Sequence, residues 1–542
     1  MTQSRRQFLI LAGGAGAVGS LGLYSCGGAE QLGGGDEGDT GGGGDGDPDG
    51  TGGRVVKSKA RLPKPFQVPL PIPPVLTPDR TEGGVDHFVI TQKKARVELI
   101  PGHSTEILGY NGIFPGPTIE SRSGRRIVVT HRNELPCPTS THLHGGVTPS
   151  GSDGYPLDLL LPQNGRGAVA THHSGSGHRA MAPRSTARGT KDHTYPLEQR
   201  AATLWYHDHR MDFTGPQVYL GLAGFHLVRD DEEDALPLPK GAKDVPLMIV
   251  DRSFSEGGAL MYPARDPSLT KEPGVKEDYM DGVLGDTILV NGAAWPFLEV
   301  AATRYRLRLL NASNARVYRL QLDPQPPGGG GFVQVGSDCG LLAAPVTLPA
   351  LEMAPAERFD VVVDFSRYPV GSRVTLVNKF GSGGTSRIMQ FRVVRKERDD
   401  STVPRRLSTV EALDPDKAVT RRKFEFKRGR FHGTRGWTIN GKPFDRDTVL
   451  ARPKLGTTEI WEFRSSATTH PVHLHLGHFQ ILSRRKKKPG PYDGGWKDTI
   501  NLRQGERAEV LVKFTGTPGR YVLHCHNLEH EDMAMMANYE LT

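Results

Sequence analysis

The sequence predicts an all-β protein of three consecutive sandwich or barrel domains with Greek-key connections. Three observations predict it. Gly (67) and Pro (41) make up about a fifth of the 542 residues, against roughly 12% on average, which favours turns over long helices. Short stretches alternate apolar and polar residues. At residues 304–309, Tyr305, Leu307 and Leu309 fall on one face and Arg304, Arg306 and Arg308 on the other, the pattern of a half-buried strand. Segments 127–130, 361–365 and 509–514 read the same way. The third observation is a repeat. Asn111-Gly112-Ile113-Phe114-Pro115, Asn291-Gly292-Ala293-Ala294-Trp295-Pro296 and Asn440-Gly441-Lys442-Pro443 each lead into a strand-like stretch. These stretches end near Arg132-Asn133, Leu310-Asn311 and Phe463-Arg464. The spacings of 180 and 149 residues place the domains at about 61–240, 241–400 and 401–542.

Residues 1–26 read as an address. Arg5-Arg6 precedes a short apolar, Gly-rich run up to Leu23, similar to a twin-arginine signal for export of folded proteins. The run is too short to span a bilayer with ease. Leu23-Tyr24-Ser25-Cys26 resembles a lipoprotein cleavage site, with Cys26 as the lipidated residue; the alternative is a plain export signal. Residues 27–60 follow as a Gly/Asp-rich flexible linker, with 14 Gly and seven acids between 27 and 53. The expected location is the periplasm or cell envelope, with the twin-arginine machinery as a partner and the membrane touched only through Cys26.

A hydrophobic share of 36% is adequate for cores at this length. The net charge is +8, but residues 27–53 carry seven acids and no base, and residues 1–26 two arginines, which leaves +13 on the remainder. No aromatic-basic motif accompanies that charge, so nucleic acid is not an expected partner. Four Cys exclude a disulfide-dense scaffold, and 20 His stand out beside them.

Four His-x-His pairs occur: His142/His144, His207/His209, His473/His475 and His524/His526. Residues i and i+2 of a strand face the same way, so each pair offers two imidazoles to one point. Two pairs fall in the first domain and two in the third. The equivalent stretch of the second reads Asn311-Ala312-Ser313-Asn314-Ala315-Arg316. Eight imidazoles converging between two domains suit a cluster of metal ions. Cys525 lies between His524 and His526, with its sulfur on the opposite face, and His470, His530 and Met535 surround it in sequence. Two His, a thiolate and a weak thioether describe a blue-copper electron-transfer site. Zinc tolerates such ligands but has no redox chemistry, and a covalent path from Cys525 to both flanking His makes sense only if electrons move.

The motifs His142-Leu143-His144-Gly145, Trp205-Tyr206-His207-Asp208-His209, His470-Pro471-Val472-His473-Leu474-His475 and His524-Cys525-His526-(x3)-His530-(x4)-Met535 resemble the four copper signatures of the multicopper oxidases. Residues 139–149 around His142 are similar to the bacterial spore-coat laccase and bilirubin oxidase branch. The resemblance implies three cupredoxin-like domains and four copper ions. It assigns His470, Cys525 and His530, with Met535 axial, to a type 1 copper, and His142 and His473 to type 2. His144, His207, His209, His475, His524 and His526 fall to a type 3 pair. It implies one-electron oxidation of phenolic or aromatic amine donors near the edge of His530 or His470, transfer through Cys525, His524 and His526, and reduction of dioxygen to two waters. Asp153 and Glu531 occupy positions similar to the family's proton-relay acids. The alternative within the family is an envelope copper-handling protein that oxidises Cu(I); the sequence has no Met-rich segment of the kind that accompanies that role.

Several features stand outside the motifs. Residues 164–200 form a His/Gly/Arg-rich insertion with His172, His173, His178 and His193, expected to be a solvated loop. Arg484-Arg485-Lys486-Lys487-Lys488 reads as a solvated turn, or as a basic flank of the blue-copper face favouring anionic phenolics. Cys137 and Cys339 could pair in an exported protein, though they fall in separate domains. His87, His103, His131, His226, His432 and His478 lack ligand spacing and read as surface or satisfied core residues.

Overall fold

A computed structural model describes residues 50–164, 184–431 and 434–542. The twin-arginine motif, Cys26, most of the linker, His172, His173, His178 and His432 lie outside the described residues. Among the described residues no helix is long and apolar enough to cross a membrane.

Three pairs of β-sheets follow one another along the chain. In the first pair, one sheet is ordered Thr190–Tyr195, Ile127–Asn133, Val85–Val97, Arg80–Glu82, with Thr105–Tyr110 also on Val85–Val97; the other is Val75–Leu76, Gly116–Arg122, Ala223–Arg229, Ala202–Asp208, Thr141–His144. The second pair has seven and five strands between Asp244 and Arg395. In the third, Thr434–Ile439, Thr420–Phe431, Thr458–Ser465, Arg507–Lys513 and His478–Arg484 form one sheet. Val449–Ala451, Met536–Leu541, Gly519–Cys525, His470–Leu474 and Thr499–Leu502 form the other. Parallel and antiparallel neighbours are mixed within these sheets, and the parallel pairs need crossover connections.

The repeat has a common physical basis. Asn111, Asn291 and Asn440 have φ of 54°, 49° and 55°, and the glycine after each is also left-handed, the backbone that an Asn-Gly hairpin turn demands. Each asparagine Oδ1 accepts from the backbone N–H of a neighbouring strand, at Thr91, Met248 and Glu425 respectively. The strand ends repeat as well. Asn133 and Asn311 cap their own turns through Leu135 N–H and Ser313 N–H; in the third copy Ser465 stands there and bonds Thr468 O.

Three expectations are corrected, and the open question of the cysteine pairing is answered. The arginine face of residues 304–309 is not solvated: Arg306 and Arg308 are 2% and 0% exposed. They meet Glu233, Asp244 and Asp360, with Arg308 Nε 2.7 Å from Asp244 Oδ1 and Arg308 Nη2 2.8 Å from Glu233 Oε1. Buried charges survive because they are paired, and the alternating pattern conceals an ionic seam between the first two sandwiches. The linker does not run to residue 60. Arg54–Val55 pairs in parallel with Val283–Leu284, and Leu70 N–H donates to Phe297 O, so residues 54–70 follow the second sandwich. The insertion is not a loop throughout, because Ser185–Arg188 pairs with Asp158–Leu161 and Thr190–Tyr195 with Ile127–Asn133. His193 there is buried, edge-on to buried His131 with ring centroids 5.0 Å apart. Cys137 and Cys339 are both buried and free; Cys339 donates to Asp498.

Candidate metal centre

The edge strand Thr141–His144 runs antiparallel to Ala202–Asp208, which sets His142 opposite His207 and His144 opposite Trp205. In the third sandwich His470–Leu474 runs antiparallel to Gly519–Cys525, with His473 opposite His524. His209, His475 and His526 each come one residue after their strand ends. In three of the four pairs, then, the second imidazole is placed where the backbone leaves the sheet rather than by strand alternation. All eight side chains are buried, and they form one continuous cluster between the first and third sandwiches.

Hydrogen bonds divide this cluster into three sets. His475 Nδ1 donates to Asp153 Oδ2 at 2.7 Å, while His209 Nδ1 and His524 Nδ1 face Glu531 Oε1 and Oε2 at 3.3 and 3.2 Å. His475 Nδ1 is thus bound and those of His209 and His524 are turned to Glu531, although His209 Nδ1 makes no hydrogen bond, which leaves the Nε2 atoms to carry the lone pairs. Those of His209, His475 and His524 lie 3.2–3.3 Å from one another. His142 Nδ1 donates to Asp153 O and His473 Nδ1 to Asp498 O, and their Nε2 atoms oppose each other at 3.4 Å. In the third set His207 Nδ1 bonds Asp208 O, His144 Nε2 faces Asp498 Oδ1 at 3.1 Å, and His526 completes the group with ring centroids 5.1–5.8 Å apart. His207 Nε2, His144 Nδ1 and both ring nitrogens of His526 have no hydrogen-bond partner. Buried acceptors turned on one another are unfavourable without a cation between them. The donor set therefore fits metal ions, and the second ring nitrogens of His142, His207, His473 and His475 are anchored in the way that fixes metal-binding histidines.

The second group is separate. Cys525 Sγ lies 3.4 Å from His470 Nδ1 and 3.5 Å from His530 Nδ1, and the two nitrogens are 3.1 Å apart. His530 is delivered by the short helix Leu528–Asp532, whose N-cap Asn527 accepts from Glu529 N–H and His530 N–H. Met535, buried in the same core as Cys525, is held by its N–H to His530 O and its carbonyl to Cys525 N–H. Burial pushes the bare Cys525 thiol well up, so a cation is needed to keep it as thiolate.

Both expected proton-relay acids join the cluster. Asp153 is fully buried and burial pushes it up to about 8, against a weak hydrogen bond from Thr148. Glu531 is pulled the other way. Burial raises it, but His209 and His524 outweigh that and, with hydrogen bonds from His524 and Thr214, hold it at about 2.

The sequence motifs missed several groups. Asp498 sits 23 residues after His475, outside any motif. It faces His144, takes the His473 hydrogen bond on its carbonyl, and meets Arg358 Nη1 at 2.7 Å. Burial would raise its carboxyl, but Arg358 and His144 hold it well below the usual range. Trp437 lies over His530 with ring centroids 3.8 Å apart and edge-on to His470 at 5.4 Å. A paired register could have indicated it, since Trp437 stands opposite Arg428 on the hairpin after the third repeat begins. His530 and His470 are both 0% exposed, so no donor touches their edges directly, contrary to expectation. The basic turn 484–488 is also displaced. It follows His478–Arg484, at the opposite edge of the sheet from Thr434–Ile439, and Arg484 itself is tied to Asp493 at 2.7 Å.

Comparison with known proteins agrees with this geometry. Two models described as multicopper oxidase match residues 91–162 and 412–541. The laccase of Bacillus subtilis is 36% identical over 530 residues, 87% of this chain and 98% of that protein. The bilirubin oxidase of Albifimbria verrucaria is 33% identical, covering 88% and 81%. The crystal structure of a laccase from Pediococcus acidilactici superposes with a TM-score of 0.76 at 32% identity, over 90% of this chain and 96% of that one. The chain belongs to the multicopper oxidase family, and its buried histidine sets fit that family's four copper ions, one type 1, one type 2 and a type 3 pair.

Proposed function

We propose that this multicopper oxidase is a laccase-like enzyme whose copper ligands are the residues gathered above. His470, Cys525 and His530, with Met535, would hold type 1; His142 and His473 would hold type 2. His209, His475 and His524 would hold one type 3 ion, and His144, His207 and His526 the other. The supporting observation is the triangle of Nε2 atoms of His209, His475 and His524, whose Nδ1 sides are turned to Asp153 and Glu531. Copper supplies the one-electron redox steps when bound. Four phenols and one dioxygen give four phenoxyl radicals and two waters, so electrons and protons balance; aromatic amines serve in the same way.

The chain's own residues provide the path and the protons. Cys525 lies between His524 and His526 at the end of one strand, so a short covalent path joins the two ligand sets. Asp153 and Glu531 are proposed as proton carriers, each within hydrogen-bonding range of an imidazole that faces the cluster. Thr214 Oγ1 donates to Glu531 at 2.7 Å, and Asp532 accepts from Thr214 N–H and Gly215 N–H, continuing a polar chain. An oxygen electrode tests this reading: four electrons of phenol should be consumed per dioxygen without peroxide, and peroxide as product would contradict it.

The cuprous-oxidase reading gains nothing from the surface beside the type 1 residues. The cavity there has one methionine, Met280, among three arginines, a rim that repels a copper cation. Export is part of the proposal too. Arg5-Arg6 and the sequence to Cys26 support delivery to the envelope by the twin-arginine machinery with a lipid anchor. Mass spectrometry of the envelope fraction would show the mature chain beginning at lipidated Cys26.

A further inference from the structure

The third repeat's hairpin builds a cavity over the wall that covers His530. In the antiparallel pair Thr420–Phe431 and Thr434–Ile439, Arg428 stands opposite Trp437 and Arg430 opposite Arg435, while Gly429 faces Gly436 between them. Directly opposed residues share a face and alternate residues return to it. Arg428, Arg430, Arg435 and Trp437 therefore lie on one side of the ribbon. They line a cavity of about 330 Å³ with Glu277, Met280 and Asp281, at the lower end of the roughly 300–1,000 Å³ of small-molecule sites. Its floor is Trp437, 1% exposed, with His530 beneath and the Arg428 guanidinium 5.1 Å above its ring.

The charges of this cavity are unequally matched. Asp281 is held by Arg428 at 2.6 Å, and Glu277 is the other acid on the wall. Arg430 and Arg435, directly opposed, make no ion pair among the described residues, and the one acid that feels the Arg435 charge, Asp281, is already bound by Arg428. Like charges placed opposite each other on a ribbon are destabilising. A carboxylate or sulfonate between them would relieve that repulsion through charge-assisted hydrogen bonds. Both arginines line the cavity whose floor, Trp437, lies against His530.

We infer that Arg430 and Arg435 select aromatic donors that carry an anionic substituent, seating the acid group between the two guanidiniums and the ring over the Trp437 wall. This rests on the laccase-like reading and names the substrate class of that site. It moves any anion preference from the 484–488 turn to the other edge of the sheet.

The test uses full-length protein, copper-free and copper-loaded, and two probes that lack a phenol and cannot be oxidised: trimethoxybenzoate and neutral trimethoxytoluene. Calorimetry should show the carboxylate binding more tightly, with an affinity that falls as salt rises. Arg430→Gln and Arg435→Gln should each lower the carboxylate-to-neutral affinity ratio by about tenfold, and Arg435→Glu should invert it. Lys486→Gln with Lys487→Gln, at the far edge, should leave the ratio as it is. Equal affinities in the unaltered protein, or a ratio unmoved by the arginine changes, would overturn the inference. A blue, oxygen-consuming enzyme with no such preference leaves the oxidase reading standing. A colourless copper-loaded protein that still prefers the carboxylate would instead sink the oxidase reading.

Discussion

Trp437 lies over His530, ring centroids 3.8 Å apart, and both side chains are sealed from solvent. The indole therefore stands between a donor in the cavity and the His530 ring. Trp437→Leu should slow anaerobic bleaching of the blue band by donor on the order of tenfold, ~1.4 kcal/mol. Trp437→Phe should recover much of that rate because an aromatic ring again bridges the gap. Stopped-flow absorbance reads both; equal rates in all three proteins would remove the indole from the path.

Glu531 faces His209 and His524 at once and takes the Thr214 hydroxyl proton in a hydrogen bond. Glu531→Gln should slow reoxidation by dioxygen by about 10²–10⁴-fold, the usual scale of a lost proton carrier. Reduction of the blue band by donor should keep its rate. Rapid mixing of reduced enzyme with oxygen separates the two, and an unchanged reoxidation rate would dismiss Glu531 as carrier.

Asp498 neutralises buried Arg358 and positions His144 and His473. Asp498→Ala leaves the buried guanidinium with only the more distant Asp338, 3.8 Å away, a loss on the order of 3 kcal/mol. It should also weaken copper retention by about 10–100-fold, as expected when a group that anchors ligands is removed. Urea denaturation and metal analysis after dialysis against chelator check the two effects separately.

The seam between the first two sandwiches sets an acid limit. Burial would raise Glu233 and Asp244, but Arg308, Arg306 and Arg229 outweigh it and hold both carboxyls far below their ordinary values. Groups depressed in the folded state contribute stability that is complete above their unfolded pKa, about 4, and is lost as pH falls toward the folded values. The seam's share, read as the difference in urea midpoint between the unaltered protein and Glu233→Gln, should be constant from pH 7 to about 5 and shrink steeply below 4. Glu233→Gln should lower the midpoint at pH 7 and flatten the acid slope; an unaltered slope would assign the acid sensitivity elsewhere.

The fold and the clustering of the histidines were legible because both are written locally. Asn-Gly turns need a left-handed backbone, and Asn111, Asn291 and Asn440 supply it at matching places. His-x-His pairs carry their spacing in the sequence itself. What escaped reading depends on approach between distant segments. Asp498 acquires its role from Arg358 and His144, 140 and 354 residues away. Trp437 is functional only because the helix Leu528–Asp532 brings His530 under it. The arginines at 306 and 308 looked solvated because their partners Glu233 and Asp244 come from another part of the chain. Alternation reports two faces of a strand, not what covers them.

The central claim is that Cys525, His470 and His530 bind one copper beside a cluster of three others. Copper-loaded protein should hold four copper ions per chain and show an intense visible band that bleaches under reductant and returns in air. Cys525→Ser should lose the band and one of the four coppers while the histidine cluster keeps the rest. A colourless loaded protein, or a Cys525→Ser variant that stays blue, would contradict the account.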